Sequence, residues 1–209
     1  MGLGEAAEFR HEWRAEVLAK PPLIAPARQF VYPQQIAGEE DALARGALLV
    51  QVQPAAGGAF LATCALGFTE PAMPSGVWAC PNPREMCALA GGYAYAIDTE
   101  APERATLIEL KPVTQVLGMV AHQLLVFVGL HAMVGWGVDG LAWETARLSW
   151  EGVRVGGVEG DALRGFGWEM SADAEVEFAV DLRTGEHVGG GFARADRAGR
   201  DTPPFQQRR

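Results

Sequence analysis

The chain has 209 residues, 49% of them hydrophobic, which is too apolar for a disordered polypeptide and long enough to bury a large core as one β domain or two small ones. Its 26 glycines show no three-residue period, which excludes collagen and points to many turns and bulges. A formal charge of −9 disfavours nucleic acid and anionic membrane as partners, because phosphate neutralisation needs clustered Lys and Arg.

From the start of the chain, Ala6, Phe9, Trp13, Val17 and Leu18 recur at helical spacing, so a helix is expected over 5–19, stopped by Pro21-Pro22. Residues 1–28 are then an N-terminal helix and connector, 29–192 a single β-rich domain, and 193–209 a disordered basic tail. Leu23 to Gln35 reads as an extended connector, and Glu39 to Arg45 as a helical turn ended by Gly46. Ala47–Gln53 and Phe60–Leu66 form a hairpin around Pro54-Ala55-Ala56-Gly57-Gly58. Residues 67–87, with prolines at 71, 74, 81 and 83, read as a long irregular loop of the kind that commonly carries function. Strands follow at Tyr93–Ile97 and, after Pro102, at Ala105–Leu110.

From His122 to Phe192 the chain reads as an antiparallel meander. Asp139-Gly140 between two apolar runs is a strong hairpin signal, and Glu151-Gly152 and Glu159-Gly160-Asp161 mark two further reversals. In 175–182 the residues Val176, Phe178, Val180 and Leu182 alternate with Glu175, Glu177, Ala179 and Asp181, the period of a strand with one wet face. Arg183-Thr184-Gly185-Glu186 turns the chain back through His187, Val188 and Phe192. The fold class is therefore mainly β: an antiparallel meander forming a sandwich or barrel-like sheet with one N-terminal helix. Runs such as "GGYAYAIDT" and "GVDGLAWET" add a propeller-like flavour, but at about 40–50 residues per blade a complete propeller does not fit a chain whose first 46 residues are not blade-like.

The segments "DGLAWETARLSWEGVRV", "ALRGFGWEM" and "EFAVDLRTG" resemble a C-terminal module of uncharacterised bacterial β-rich proteins, over about residues 122–190. The resemblance implies the meander and carries no activity.

Chemical signatures are sparse. Ser75, Ser149 and Ser171 lack a Gly-x-Ser-x-Gly frame, and no phosphate loop, HExxH helix or EF-hand spacing occurs. Cys64, Cys80 and Cys87 are an odd number in a chain without an export signal, and their spacing does not suit zinc; buried free thiols, no metal and no cofactor are expected. Residues 1–10 lack a secretory pattern and no apolar run approaches membrane-spanning length, so a cytoplasmic protein away from membranes is expected. Trp136, Trp143, Trp150 and Trp168 fit cross-strand core packing, and an exposed row stacking on a sugar or a base is the sharper alternative. His131, with Asp139 or Glu144, has the elements of an acid–base pair. The candidate binding residues are thus Trp78, His131 and Trp150. Weighed together, these features point to a non-catalytic binding or protein-interaction module with an unidentified protein or small-molecule ligand and homo-oligomer formation left open. A small hydrolase or isomerase using His131, and a carbohydrate-binding sandwich using Trp78 and Trp150, are the alternatives.

Overall fold

A computed structural model describes residues 9–33 and 43–192. Four open four-stranded sheets are laid down in chain order. The first contains β1 (Arg14–Leu18), β2 (Arg28–Tyr32), β3 (Ala47–Gln53) and β4 (Phe60–Ala65), in the order β1-β3-β4-β2 with β2 parallel to β4. The second is the meander β5 (Gly76–Ala79), β6 (Glu85–Ala90), β7 (Tyr93–Asp98) and β8 (Ala105–Leu107). The third is β9 (Val113–Met119), β10 (Leu124–Gly129), β11 (Met133–Gly137) and β12 (Gly140–Glu144). The fourth is β13 (Val153–Glu159), β14 (Ala162–Glu169), β15 (Ala174–Asp181) and β16 (His187–Gly189). Among the described residues no barrel closes, and there are four sheets rather than the two of a simple sandwich.

The apolar patterning explains how these sheets pack. In β6, β7 and β10 nearly every residue is buried, which requires cover on both faces and a continuous apolar run rather than alternation. In β15 buried Phe178 and Val180 alternate with exposed Glu177 and Asp181, so one face meets water. The second and third sheets are accordingly interior layers, and the fourth caps the pile. One core cluster gathers Val50, Phe60, Leu89, Tyr95, Leu125, Phe127 and Trp136 from the first three sheets. A second joins Leu124, Val126, Val128 and Trp143 of the third sheet to Leu163, Phe178 and Val180 of the fourth. Leu124 and Leu125 are neighbours in sequence, yet they serve different clusters, because consecutive strand residues point to opposite faces.

Each junction carries a hydrogen bond from an aromatic side chain. The Tyr95 hydroxyl donates to Ala65 O at 2.8 Å between the first and second sheets. Trp136 Nε1 donates to Glu85 Oε2 at 3.0 Å between the second and third. Trp143 Nε1 donates to Leu182 O at 2.8 Å between the third and fourth. A ring that brings its own donor into a core can satisfy a polar group there while burying a large apolar area.

The expected N-terminal helix is not formed: among the described residues there is no α-helix, and Arg14–Leu18 is a strand paired with β3, Val17 facing Val50 and Ala15 facing Val52. Phe9, Trp13 and Val17 satisfy a four-residue spacing, but Phe9, His11, Trp13, Ala15 and Val17 also satisfy a two-residue one. Over so short a stretch, pairing with the open edge of β3 decides, and tertiary context overrides local propensity. The connector also contains β2, whose Tyr32 is buried and donates to Pro102 O at 2.6 Å. Residues 67–87 are not wholly irregular either, since Gly76–Ala79 pairs with β6 between the prolines. The hairpin at Asp139-Gly140 forms with Val138 and Asp139 as its loop, and Gly140 enters β12 at a φ of +104°, open chiefly to glycine. The expected helical turn at 39–45 lies mostly outside the described residues, where only Leu43–Arg45 appear, as a turn closed by Gly46 N donating to Leu43 O. The basic tail, 193–209, lies wholly outside them.

Candidate functional site

The crossing from the third sheet to the fourth, 145–152, is stitched to both. Leu148 N donates to His131 O at 2.7 Å, and Trp150 N donates to Trp168 O at 2.9 Å. This places His131 and Trp150 at one end of the junction, with Arg147 between them. Arg147 Nη2 lies 3.4 Å from His131 Nδ1 and donates to Trp150 O at 3.1 Å. Its guanidinium carbon stands 4.7 Å from the Trp150 ring centroid and 4.8 Å from that of Phe192. Cation–π contact of this kind holds the two rings against one another. His131 is exposed, and its ring meets a guanidinium where an acid–base pair would need a carboxylate; Asp139 lies beyond the opposite end of β11, and Glu144, opposite Val134, makes no described hydrogen bond or ion pair with His131. Trp78 is not part of this group. It is half-buried on β5 and packs against the first core cluster.

At the other end of the junction, the 3-10 turn Val120–His122 before β10 meets the β13–β14 turn. His122 Nε2 is 3.0 Å from Asp161 Oδ1, and Arg183 Nη2 pairs with Asp161 Oδ2. Two clefts share Asp161. One, of about 620 Å³, is lined by Ala121, His122, Leu124, Asp161, Leu182 and Arg183 among others. The second, of about 420 Å³, opens on the outer face of the fourth sheet. Ala162, Ala179 and Val188 line it beside Glu159, Asp161, Asp181, Glu186 and His187, with no Lys or Arg in the lining. Asp181 sits across from Ala162, and Ala179 from Val188, so strand pairing alone gathers these side chains. Nearby, Arg164 pairs with Glu159, while among the described residues Asp181 and Glu186 enter no ion pair. Burial holds His187 below the usual imidazole range, which favours its neutral form near pH 7.

Sequence reasoning missed this site because its parts read only as turns. Glu159-Gly160-Asp161 signalled a reversal, and nothing in the chain linked it to His122, 39 positions away, or to Arg183. The chain matches no protein-family model and no curated protein sequence.

The groups most suited to nucleophilic chemistry are occupied in the structure. The Ser149 hydroxyl, fully buried, accepts from Trp168 N at 2.7 Å, and Ser75 Oγ accepts from Gly91 N at 2.9 Å. Ser171 Oγ bonds Glu169. All three thiols are free and buried, and burial pushes each above the usual thiol range, away from the reactive thiolate. In native protein at pH 8, a thiol-reactive disulfide reagent should label none of the three within minutes, and all three on unfolding. Rapid labelling of one in the native state would show that its cover opens.

Glu85 is half-buried, and its pKa lies above the usual carboxylate range. Burial is the main cause, opposed by the Trp136 hydrogen bond. Because the folded state favours the protonated acid, its ionisation weakens folding as pH rises through the raised value. Glu85→Gln keeps an acceptor for Trp136 and should therefore be more stable than wild type at pH 7, by under about 1 kcal/mol given the solvent exposure. The gain should vanish below about pH 4.5, the ordinary value for this side chain. Urea midpoints at pH 7 and pH 4 measure it.

Proposed function

We propose that this chain is a non-catalytic β-rich binding module that recognises a cationic peptide segment at the two clefts meeting at Asp161. The observation that carries this reading is the outer cleft itself, in which Asp181 and Glu186, outside any described ion pair, stand beside a small apolar floor, while Arg164 and Arg183 reach the other two carboxylates, Glu159 and Asp161, from outside the lining. Two carboxylates outside any described ion pair, set beside an apolar seat, favour a partner that is basic and carries an apolar side chain, and they speed encounter at low salt. The three successive meanders of four short strands support a propeller-like description of the pile. Free, buried thiols support a reducing, cytoplasmic setting.

The test is fluorescence anisotropy with a labelled peptide alternating Arg and Phe, against a matched Glu and Phe peptide. The basic peptide should bind the full chain, weaken at least 10-fold on Glu186→Lys, and weaken further between 50 and 300 mM salt. Equal affinity for the two peptides, or indifference to Glu186→Lys, would remove the proposal.

A further inference from the structure

Resting on that reading of the outer cleft, we infer that the chain's own C-terminal tail, residues 193–209, is an occupant of it and competes with any partner. The tail has the chemistry the cleft selects. It carries Arg194, Arg197, Arg200, Arg208 and Arg209 against Asp196 and Asp201, a net of +3, together with a single large apolar residue, Phe205, after Pro203-Pro204. Residues 1–192 carry the remaining −12. The cleft supplies Asp181 and Glu186 outside any described ion pair, and Val188 beside them is 72% exposed, an apolar side chain left in water next to a charged rim.

Geometry allows the return. Phe192 is held against the 145–152 crossing, its ring 4.8 Å from that of Trp150 and close under the Arg147 guanidinium, while Gly191 N donates to Leu148 O at 2.8 Å and Gly191 lies so close to Trp168 of β14 that an added Cβ would stand 2.1 Å from Trp168 O. The tail therefore starts on the sheet that bears the cleft, at the end where Trp168 lies, and the cleft is at the end where Ala162 lies. That separation is the length of β14, eight residues or about 26 Å. The thirteen residues from Phe192 to Phe205 reach up to about 43 Å when extended. Phe205 can thus arrive at Ala162, Ala179 and Val188 with slack remaining, and arginines flanking it can meet Asp181 and Glu186. Tethering raises the local concentration of the tail to about the millimolar range, so even a weak contact is populated.

The experiment uses the full chain. A spin label placed on Gln206→Cys reacts there selectively, because the native thiols are buried. The label should broaden the amide signals of Ala162, Ala179 and Val188, and Glu186→Lys or 0.5 M salt should relieve the broadening. Replacing all five tail arginines by serine should tighten binding of the added Arg-Phe peptide about 2- to 10-fold, since the competitor is lost. No selective broadening, or unchanged peptide affinity in the serine variant, overturns the tail assignment while peptide binding still upholds the cleft. If the peptide fails to bind the serine variant as well, the cleft reading falls with it. Broadening seen only when labelled chains are mixed with isotopically labelled, spin-free ones also overturns it, because the occupant is then a second copy.

Discussion

Replacing Leu124 and Leu125 by alanine, one at a time, is expected to cost about 2–5 kcal/mol each, the range for truncating a buried leucine. Leu124 is 6% exposed and belongs to the cluster shared with the fourth sheet, whereas Leu125 is fully buried and belongs to the cluster shared with the first two. In a sheet with one wet face, one of two consecutive residues would tolerate the change. Strand β15 supplies that contrast within the same molecule. Phe178→Ala, at 1% exposure, should cost about 3–5 kcal/mol. Glu177→Ala next to it removes only an exposed pair with Arg164 and should fall within about 1 kcal/mol of wild type. Urea denaturation of the four variants measures the difference. A small effect at either leucine would mean that the third sheet is not covered on that face.

The second large effect is expected at Trp143. Its ring is 6% exposed and fills the space between the third and fourth sheets over Gly135, where an added Cβ would lie 2.4 Å from the ring. Gly185, at a φ of +73°, also approaches this side chain, and its Cβ would come within 2.9 Å. Trp143→Ala should therefore cost about 3–5 kcal/mol through the cavity it leaves. Trp143→Phe retains most of the ring but leaves Leu182 O without its donor, for about 1–3 kcal/mol. Hydrogen exchange adds a spatial test. In Trp143→Ala the amides of β14 and β15 should exchange faster relative to those of β6 and β7, because the junction released is the one that holds the fourth sheet. Uniform acceleration across all four sheets would instead mean that the pile unfolds as one unit.

Much of the architecture can be traced to local chemistry. The alternation in 175–182, the glycine turns at 140, 160 and 185, and the hairpin around 54–58 each specify a strand or reversal within a few residues, since pleat period and positive-φ demands are local properties. Uninterrupted apolar runs such as Leu124–Gly129 suit a strand covered on two faces, as the structure shows. They could not say which sheets lie on either side, because both clusters draw on the same residue types. The short segment Arg14–Leu18 shows the limit from the other direction: its spacing fits a helix and a strand alike, and the free edge of β3 chose.

The clefts were less legible still. Trp150 and His131 were singled out separately, and the structure joins them through Arg147, a residue without a motif. Asp161 became a meeting point because the β13–β14 turn comes to rest against His122 and Arg183. What the amino-acid sequence determined by itself was the mainly-β character, the positions of most turns and the acidic body, all consequences of side-chain period and charge along the chain. What only the tertiary structure decided was the order of burial and the site, because both depend on which distant surfaces meet, and sheet stacking is set by the sum of many weak apolar contacts rather than by any one of them.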